Sequence, residues 1–549
     1  MGKSKTTKFK RPQFSSVGLP VNAVKEVDAA EEEHDEDSCP AAELLERVRT
    51  KLLLGFKSKG LHTTREVSLP PVVSPAHCLH TVTEDNPELL RSMNAAVLGA
   101  LENVLLSSQT GMAHTLLKTL AAGTLWNMKG CLPEARQSQT LNAVVASLSQ
   151  CLDLDAGVLI LELREAEEVH QRNADSVTDV EESAAGELIV EEMVEEEEPP
   201  NKTRNGKTAK TDTDFSDLLP RGKEELREAT ALLTAQQTSL EIIVNMCCSD
   251  DASDDEWEEE SSSDESDMTP DGLCDGVCSL MSPLCLSAEV QGALINHSIP
   301  EKVLKKTGYP RQEAISVCQE DPSWKGLTKK MRRIQSRALT CLHSILSTMD
   351  AESLGGEAAL QGAAQHLSTL VFGAEEILKD VEFLEAVISA VRALLQMIAS
   401  KNIAQCMTPQ QLMSLSEAAT CCEVVSVRVN AVAILGITGS TLAKEKGSAE
   451  ILQLIGNALL QVASKDVDLV VNGEALDALF DVFADGEEAK TAAKNIGLLT
   501  ALKALHPVFK AKVRKEGRGK YSPQQLCVLD NIKINLRRFI SYLEKMVKK

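Results

Sequence analysis

Val425-Ser426-Val427-Arg428-Val429-Asn430-Ala431-Val432-Ala433-Ile434-Leu435-Gly436 is the stretch on which the fold turns. It places Val, Arg, Ala and Leu at one-face helical spacing, and it does not stand alone. Val470-Val471-Asn472-Gly473-Glu474-Ala475-Leu476-Asp477-Ala478-Leu479 repeats its Ala-x-x-x-Leu element about 44 residues later, and Val391-Arg392-Ala393-Leu394-Leu395 precedes it by about 40. That spacing is the period of HEAT and armadillo repeats, in which each helical unit buries its apolar face against the next. A small Ala at the crossing lets neighbouring helices approach, while Leu and Val fill the stacked core. Upstream, Leu116-Leu117-Lys118-Thr119-Leu120-Ala121-Ala122-Gly123-Thr124-Leu125-Trp126-Asn127 reads as the third helix of an armadillo repeat, with a close-packing Ala-Gly pair and an Asn that ends the helix. Sustained period-two alternation is scarce. The expected fold is all-α, an armadillo/HEAT-type α-solenoid; an irregular helical bundle is the alternative.

The chain has 549 residues, 43% hydrophobic and 25% charged, which is globular composition with length for several domains. Aromatic residues make up only 3%, too few for the stacking platforms of single-stranded nucleic-acid binders. The absence of an uninterrupted apolar run of about 18 residues argues against a membrane span. The basic start Met1-Gly2-Lys3-Ser4-Lys5 has no apolar segment after it, so no secretory signal is expected. Fifteen Cys, an odd number that includes the pairs Cys247-Cys248 and Cys421-Cys422, fit a reducing compartment, cytosol or nucleus.

The formal net charge is −24, and its distribution is uneven. Asp175 to Asp267 holds 29 acidic and 7 basic residues, nearly the whole excess. Two runs dominate it, Glu191 to Glu198 and Asp250 to Asp267. The second comprises Asp250, Asp251, Asp254, Asp255, Glu256, Glu258, Glu259, Glu260, Asp264, Glu265 and Asp267, with Trp257 among them and no basic residue. Such density repels itself and offers little apolar surface, so both runs are expected to be disordered, either as solvating linkers or as a polyanionic arm that masks a basic cargo. Between them Leu226, Ala229, Leu232, Leu233, Leu240, Ile243, Val244 and Cys247 recur at helical spacing, predicting a helix over about 222–248. The ends of the chain are basic: Lys3, Lys5, Lys8, Lys10 and Arg11 at the start, and 13 basic against 3 acidic residues from Lys503 to Lys549. These basic ends and the acidic middle could fold back on one another.

No catalytic constellation survives inspection, since phosphate-cradling loops, His-Glu-x-x-His pairs and nucleophile elbows are all missing. An enzyme is not expected, nor is a cofactor. Cys247-Cys248 and Cys274-x-x-x-Cys278-x6-Cys285 are the metal candidates, but zinc sites usually come as two close pairs, so no metal site is expected. His343 and His366 read as packed residues or surface donors. The features that remain are for binding. Asp477, Asp481 and Asp485 follow i, i+4, i+8 spacing on one helix, a carboxylate row that faces either a solenoid groove or solvent. Ser253, Ser261 and Ser262 have carboxylates three residues on, the pattern of an acidophilic kinase, and phosphates there would deepen the negative charge. The cluster Lys510 to Lys520 is either a phosphate-binding or nuclear-import element or a basic capping loop.

The organisation expected is a disordered basic and acidic tail over 1–40, a short helix and irregular loop over 41–75, armadillo-like helices over 76–174, an acidic insertion with its embedded helix over 175–267, and HEAT-like repeats with a basic end over 268–549. Pro70, Pro71 and Pro75 place the Lys51–Pro75 stretch outside the helical pattern.

Several strings together resemble the HEAT repeat-containing protein 3 family, the animal counterpart of fungal symportin. They are Met1-Gly2-Lys3-Ser4 with Phe9-Lys10-Arg11-Pro12-Gln13-Phe14, Thr81-Val82-Thr83-Glu84-Asp85-Asn86-Pro87-Glu88-Leu89-Leu90, Leu232-Leu233-Thr234-Ala235-Gln236-Gln237-Thr238, Asp254-Asp255-Glu256-Trp257-Glu258-Glu259, the stretch from Gly473 through Asp485 to Gly486, and Arg514-Lys515-Glu516-Gly517-Arg518-Gly519. The resemblance implies a non-enzymatic carrier that takes two newly made large-subunit ribosomal proteins, those of the 5S particle, to the nucleus with an import receptor and releases them to 5S rRNA. It implies armadillo repeats followed by HEAT repeats, cargo contacts from the acidic loop at Asp250 to Asp267, and an import signal at Lys3, Lys5, Lys8, Lys10 and Arg11, although no Pro-Tyr follows Arg11. Only about 30 residues separate Pro40-Ala41-Ala42-Glu43-Leu44-Leu45-Glu46 from the Thr81 string, where the family carries several armadillo repeats. The chain therefore resembles a shortened form. The expected partners are basic ribosomal proteins and an import receptor, with no membrane, no DNA and RNA only indirectly, for a monomer that is cytoplasmic and nuclear. The competing readings are a nuclear-transport or assembly scaffold with non-ribosomal partners, and an RNA-binding factor that uses the basic C-terminal region.

Overall fold

The computed structural model describes residues 70–84, 86–93, 95–182, 224–248, 286–373, 380–517 and 519–548. They form twenty α-helices and one 3-10 turn, with no strand among the described residues. The chain is an all-α solenoid-class protein, and its contacts divide it into two compact units.

The first unit comprises the described parts of Thr50–Ser239 and Tyr309–Ile334. It opens with α1 (Pro70–Val82), α2 (Pro87–Ser92), α3 (Ala95–Leu105), α4 (Met112–Asn127) and α5 (Glu134–Asp153), with α4 packed against α1, α3 and α5. Helix α4 is buried along almost its whole length from Leu116 to Trp126. Its last residue does more than end it: Asn127 Nδ2 donates to the His80 carbonyl at 3.3 Å and to Thr83 Oγ1 at 3.2 Å, tying the end of α4 to the end of α1.

Two boundaries differ from the sequence reading. The irregular stretch expected over Lys51–Pro75 gives way to helix at Pro70. Pro70 and Pro71 occupy the first turn, where no intrahelical N–H bond is lost, and only Pro75 removes an i→i−4 bond. Helix α6 (Ala156–Glu182) continues past Asp175, because its Glu, Arg and Ala are good helix formers whatever their net charge.

Helix α7 (Glu224–Cys248) occupies the span that periodicity predicts, and its first two-thirds belong to the core of this unit. Gln236 Nε2 donates to the carbonyls of Cys151 and Leu154 at 3.1 and 2.7 Å, and the Met112 backbone N–H donates to Glu228 Oε2 at 2.7 Å. Leu232 and Leu233 are fully buried. A buried constellation joins α6 to the segment after α10 (Gln312–Glu320). Trp324 Nε1 donates to Glu167 Oε2 at 2.8 Å, and Arg164 bridges Glu167 and, at 3.0 Å, Asp321.

The second unit takes the described parts of Leu240–Gly308 and Gln335–Lys549. After α8 (Ala288–Asn296) and α9 (Ile299–Lys306) it stacks helices in two layers. One layer runs from the end of α11 (Lys325–Thr348) through α13 (Val381–Lys401), α15 (Val425–Leu442) and α17 (Leu469–Phe483) to α20 (Pro523–Lys548). The other contains α12 (Gly356–Phe372), α14 (Pro409–Thr420), α16 (Ala449–Lys465) and α18 (Glu487–Asn495), with α19 (Leu498–Glu516) closing against α20.

The sequence supplies clear starts and stops. Asp380 caps α13 by accepting from the Glu382 and Phe383 N–H groups, and Asn402 ends it in the left-handed region at φ 53°. Thr408 and Gln411 form a reciprocal capping box on α14, with Pro409 in its first turn. Asp468 caps α17 through the Val470 N–H.

Helices α15 and α17 touch through glycine. A Cβ on Gly436 would lie 2.9 Å from Ala478 Cβ, and one on Gly439 would lie 2.6 Å from Val482 Cγ2. Arg428 is buried at the edge of the same pair. It donates to Asp466 at 2.9 Å and to the carbonyls of Cys422 and Glu423, both at 2.9 Å. Helices α13 and α15 are long and apolar enough to cross a membrane by length and composition. Here their apolar residues are buried against neighbouring helices, and their Arg and Asn side chains bond within the stack.

Candidate functional site

The repeats line up so that residue types at equal height face one another across three parallel helices. Arg392 of α13 donates through one nitrogen to Asn430 Oδ1 of α15 at 2.9 Å, and through another to Glu474 Oε1 of α17 at 3.1 Å. Asn430 Nδ2 in turn donates to Ser389 Oγ at 2.9 Å, and Ser426 bonds Glu385 one turn earlier. The repeat register is therefore Arg392–Asn430–Glu474. Arg428, which shares a residue type with Arg392, lies on a different face and bonds the turn before α17.

Helix α17 continues the polar line with carboxylates. Glu474 and Asp477 are largely covered, and Asp481 opens to solvent. Burial raises the Glu474 pKa; Arg392 opposes that shift, while Asp477 and Asp481 add to it. Burial likewise raises Asp477. Asp481 is pushed up to about 6 by burial and then by the neighbouring Asp477 charge. The residue is exposed, and the water that reaches it screens part of this effect. Arg392 thus pairs with Glu474, and Asp477 and Asp481 add negative charge next to that pair, an arrangement that gains from a further cation such as a lysine or arginine of a partner.

Of the expected row Asp477, Asp481 and Asp485, the first two lie on α17 and the third does not. The helix ends at Phe483, and Asp485 is an exposed residue before Gly486. Gly486 takes φ 104° and would place a Cβ 2.4 Å from the Ala443 carbonyl oxygen, so the chain must leave the helix line there. Sequence reasoning missed Glu474 and Arg392 as members of the site. Glu474 stands three residues before Asp477 on the same helix face, a signal that was present. Arg392 becomes visible only once the repeats are aligned on Ala393, Ala431 and Ala475.

His343 Nδ1 lies 3.0 Å from the Ser389 carbonyl oxygen, and His366 Nε2 lies 2.8 Å from Thr307 Oγ1. Cys247 is buried and Cys248 exposed, and no group that could hold a metal occurs among the described residues. Of the Lys510 to Lys520 cluster, Lys512 Nζ bonds the Asp466 carbonyl at 2.8 Å and Asn472 Oδ1 at 2.7 Å. The carboxylates from Asp250 to Asp267, Trp257, Ser253, Ser261, Ser262, the cysteines from Cys274 to Cys285, and Lys3, Lys5, Lys8, Lys10 and Arg11 lie outside the described residues.

Comparison with known proteins places this geometry in context. Residues 288–547 match a family described as SYO1-like, TPR repeats. HEAT repeat-containing protein 3 of Mus musculus is 53% identical over 485 residues, which is 88% of this chain and 70% of that protein. Its Homo sapiens counterpart is 54% identical over 480 residues, 87% of this chain and 70% of that protein. Coverage of 70% is in keeping with a shortened form. A solved structure from work on a phosphorylation switch in the interaction between cadherin and beta-catenin covers 90% of both chains, at 14% identity and a TM-score of 0.29, and carries no argument here.

Proposed function

The chain belongs to the HEAT repeat-containing protein 3 family, and from that premise we propose that it is a non-enzymatic carrier for newly made ribosomal proteins of the 5S particle. The observation that supports this most directly is the ridge on α17, where Glu474 is paired with Arg392 while Asp477 and Asp481 add further negative charge beside it. Ribosomal proteins are strongly basic, and their RNA-binding surfaces need cover before assembly. The ridge takes individual lysine or arginine side chains, and the Asp250–Asp267 run covers a broader basic surface as a charge mimic that also speeds encounter. RNA, a denser polyanion, displaces both at the point of delivery. The basic Lys3–Arg11 stretch recruits an import receptor, so the protein moves between cytoplasm and nucleus, carrying its cargo as a monomer.

The test is binding of the two 5S-particle ribosomal proteins, each separately, to the intact chain and to two variants. One variant replaces the carboxylates of Asp250–Asp267 by their amides, and the other is Asp477→Asn/Asp481→Asn. Helix α7 has to stay in every variant, because it is part of a core. Binding of at least one cargo, weakened by either neutralisation and falling steeply with salt, is the expected result. If neither cargo binds the intact chain, the carrier reading fails for this chain and a scaffold with non-ribosomal partners takes its place.

A further inference from the structure

The hairpin of α19 and α20 carries a cationic face. Lys503 Nζ meets Glu544 Oε1 at 2.6 Å toward one end, and Gly517 packs against Leu526 toward the other, where a Cβ would come within 2.9 Å of Leu526 Cδ2. This antiparallel register sets Lys510 level with Arg537. Lys510, Arg514, Lys515, Arg537, Arg538 and Lys545 are all exposed, and among the described residues none of the six makes an ion pair. Neighbouring cations do: Lys503 pairs with Glu544, Lys520 with Asp468 and Lys533 with Asp530.

Such a face takes a polyanion, and the aromatic residues nearby favour a polypeptide over single-stranded RNA. The Tyr521 hydroxyl accepts from the Leu469 N–H at 3.1 Å, the Tyr542 hydroxyl bonds the Ala484 carbonyl, and Phe539 is buried against Phe480. None is left as a stacking platform for bases. The same chain contains an acidic polypeptide of suitable charge: eleven carboxylates and no basic residue between Asp250 and Asp267. The 37 residues of 249–285 tether it between α7 and α8. Covalent linkage within one chain holds it at an effective concentration far above that of any free partner.

We propose that the cationic face of the α19–α20 hairpin is the docking surface for the chain's own acidic run, Asp250–Asp267. Docking stands on this charge complementarity. Its consequence rests on the carrier reading: a cargo must out-compete the hairpin for the run, so weakly basic proteins are not captured. The run is then never a bare polyanion, and the hairpin is uncovered when cargo binds.

Zero-length carbodiimide crosslinking of the full chain without cargo, read by mass spectrometry, tests this. The expected result is amide links from Asp250–Asp267 carboxylates to Lys510, Lys515 or Lys545, within single molecules and independent of protein concentration. The Arg514→Glu/Arg537→Glu/Arg538→Glu variant keeps those lysines and changes only exposed positions, and its links should fall by at least about fivefold. The proposal is overturned if the run links instead to Lys3, Lys5 or Lys8 or to lysines between Lys302 and Lys330, if links form only between molecules, or if none form. It is also overturned if a ribonucleotide oligomer binds the intact chain as tightly as a chain with the run neutralised, and the triple variant abolishes that binding. No cargo is present, so failure here leaves the carrier reading standing, and failure of the carrier reading leaves the docking itself standing and removes only its consequence for cargo.

Discussion

Arg392 and Glu474 lie 82 residues apart in sequence and meet at 3.1 Å across the α13–α15–α17 layer, with Asn430 held by the same guanidinium. The pair is mostly covered, with side-chain exposures of 26% and 14%. Removing one partner from such a pair costs more than removing both, because the surviving charge loses its counter-charge while remaining in a poorly solvated place. Arg392→Ala is expected to destabilise the chain by about 2 kcal/mol. Arg392→Ala/Glu474→Gln should recover a substantial part of that loss. Urea denaturation of the two single variants and the double variant measures the coupling, and strict additivity would exclude a direct pair.

Much of this layer was legible from the sequence because the Ala-x-x-x-Leu elements fix both the helices and their stacking. What was not legible is the register between repeats. Arg392 and Arg428 look equivalent by residue type, yet Arg392 matches Asn430 and Glu474, because α13 has eleven residues before Arg392 and α15 only five before Asn430. The carboxylate row was legible up to the point where a helix end intervened, and nothing in the i, i+4, i+8 spacing marks Phe483 as the last turn. Gly486 is the signal there, since its positive φ requires a break. Pro70 and Pro71 misled in the opposite direction, because proline is compatible with a first turn.

The two glycines of α15 make a sharper test of the repeat packing. Gly439→Ala forces a methyl against Val482 and should cost about 1–3 kcal/mol, since the backbones cannot separate without opening the layer. Gly362 is exposed in the middle of α12, and a methyl group added there would meet nothing within 4 Å. Gly362→Ala should therefore stabilise by about 0.5–1 kcal/mol through helix propensity alone. Thermal melts that moved in the same direction for both would contradict this account of the crossing.

Arg428 serves three acceptors at once, Asp466 and the carbonyls of Cys422 and Glu423, with only 8% of its side chain exposed. Arg428→Ala leaves Asp466 buried without its cation and is expected to cost about 3–5 kcal/mol. Arg428→Lys should restore little, because an ammonium group cannot span the fork that a guanidinium fills. Full recovery by lysine, measured by denaturation midpoint, would mean that charge alone matters at this corner.

The ridge on α17 makes opposite predictions for folding and for binding as pH changes. Asp481 is held up to about 6, and Glu474 and Asp477 are also raised, so the folded chain holds these protons more tightly than the unfolded chain does. Between the unfolded carboxylate range near about 4 and pH 6, folding takes up protons, and the contribution of the ridge to stability falls as pH rises through that window. Asp477→Asn/Asp481→Asn should therefore flatten the pH dependence, and its stability relative to the unsubstituted chain should improve as pH rises from 4 to 7. Binding of a lysine-rich peptide should run the other way. It tightens over the same interval as the carboxylates ionise, and the double variant loses that gain. Paired melts and peptide titrations across this range measure both trends. A variant that changed stability but left the pH profile of binding intact would show the ridge to be a feature of the fold and not a surface for basic partners.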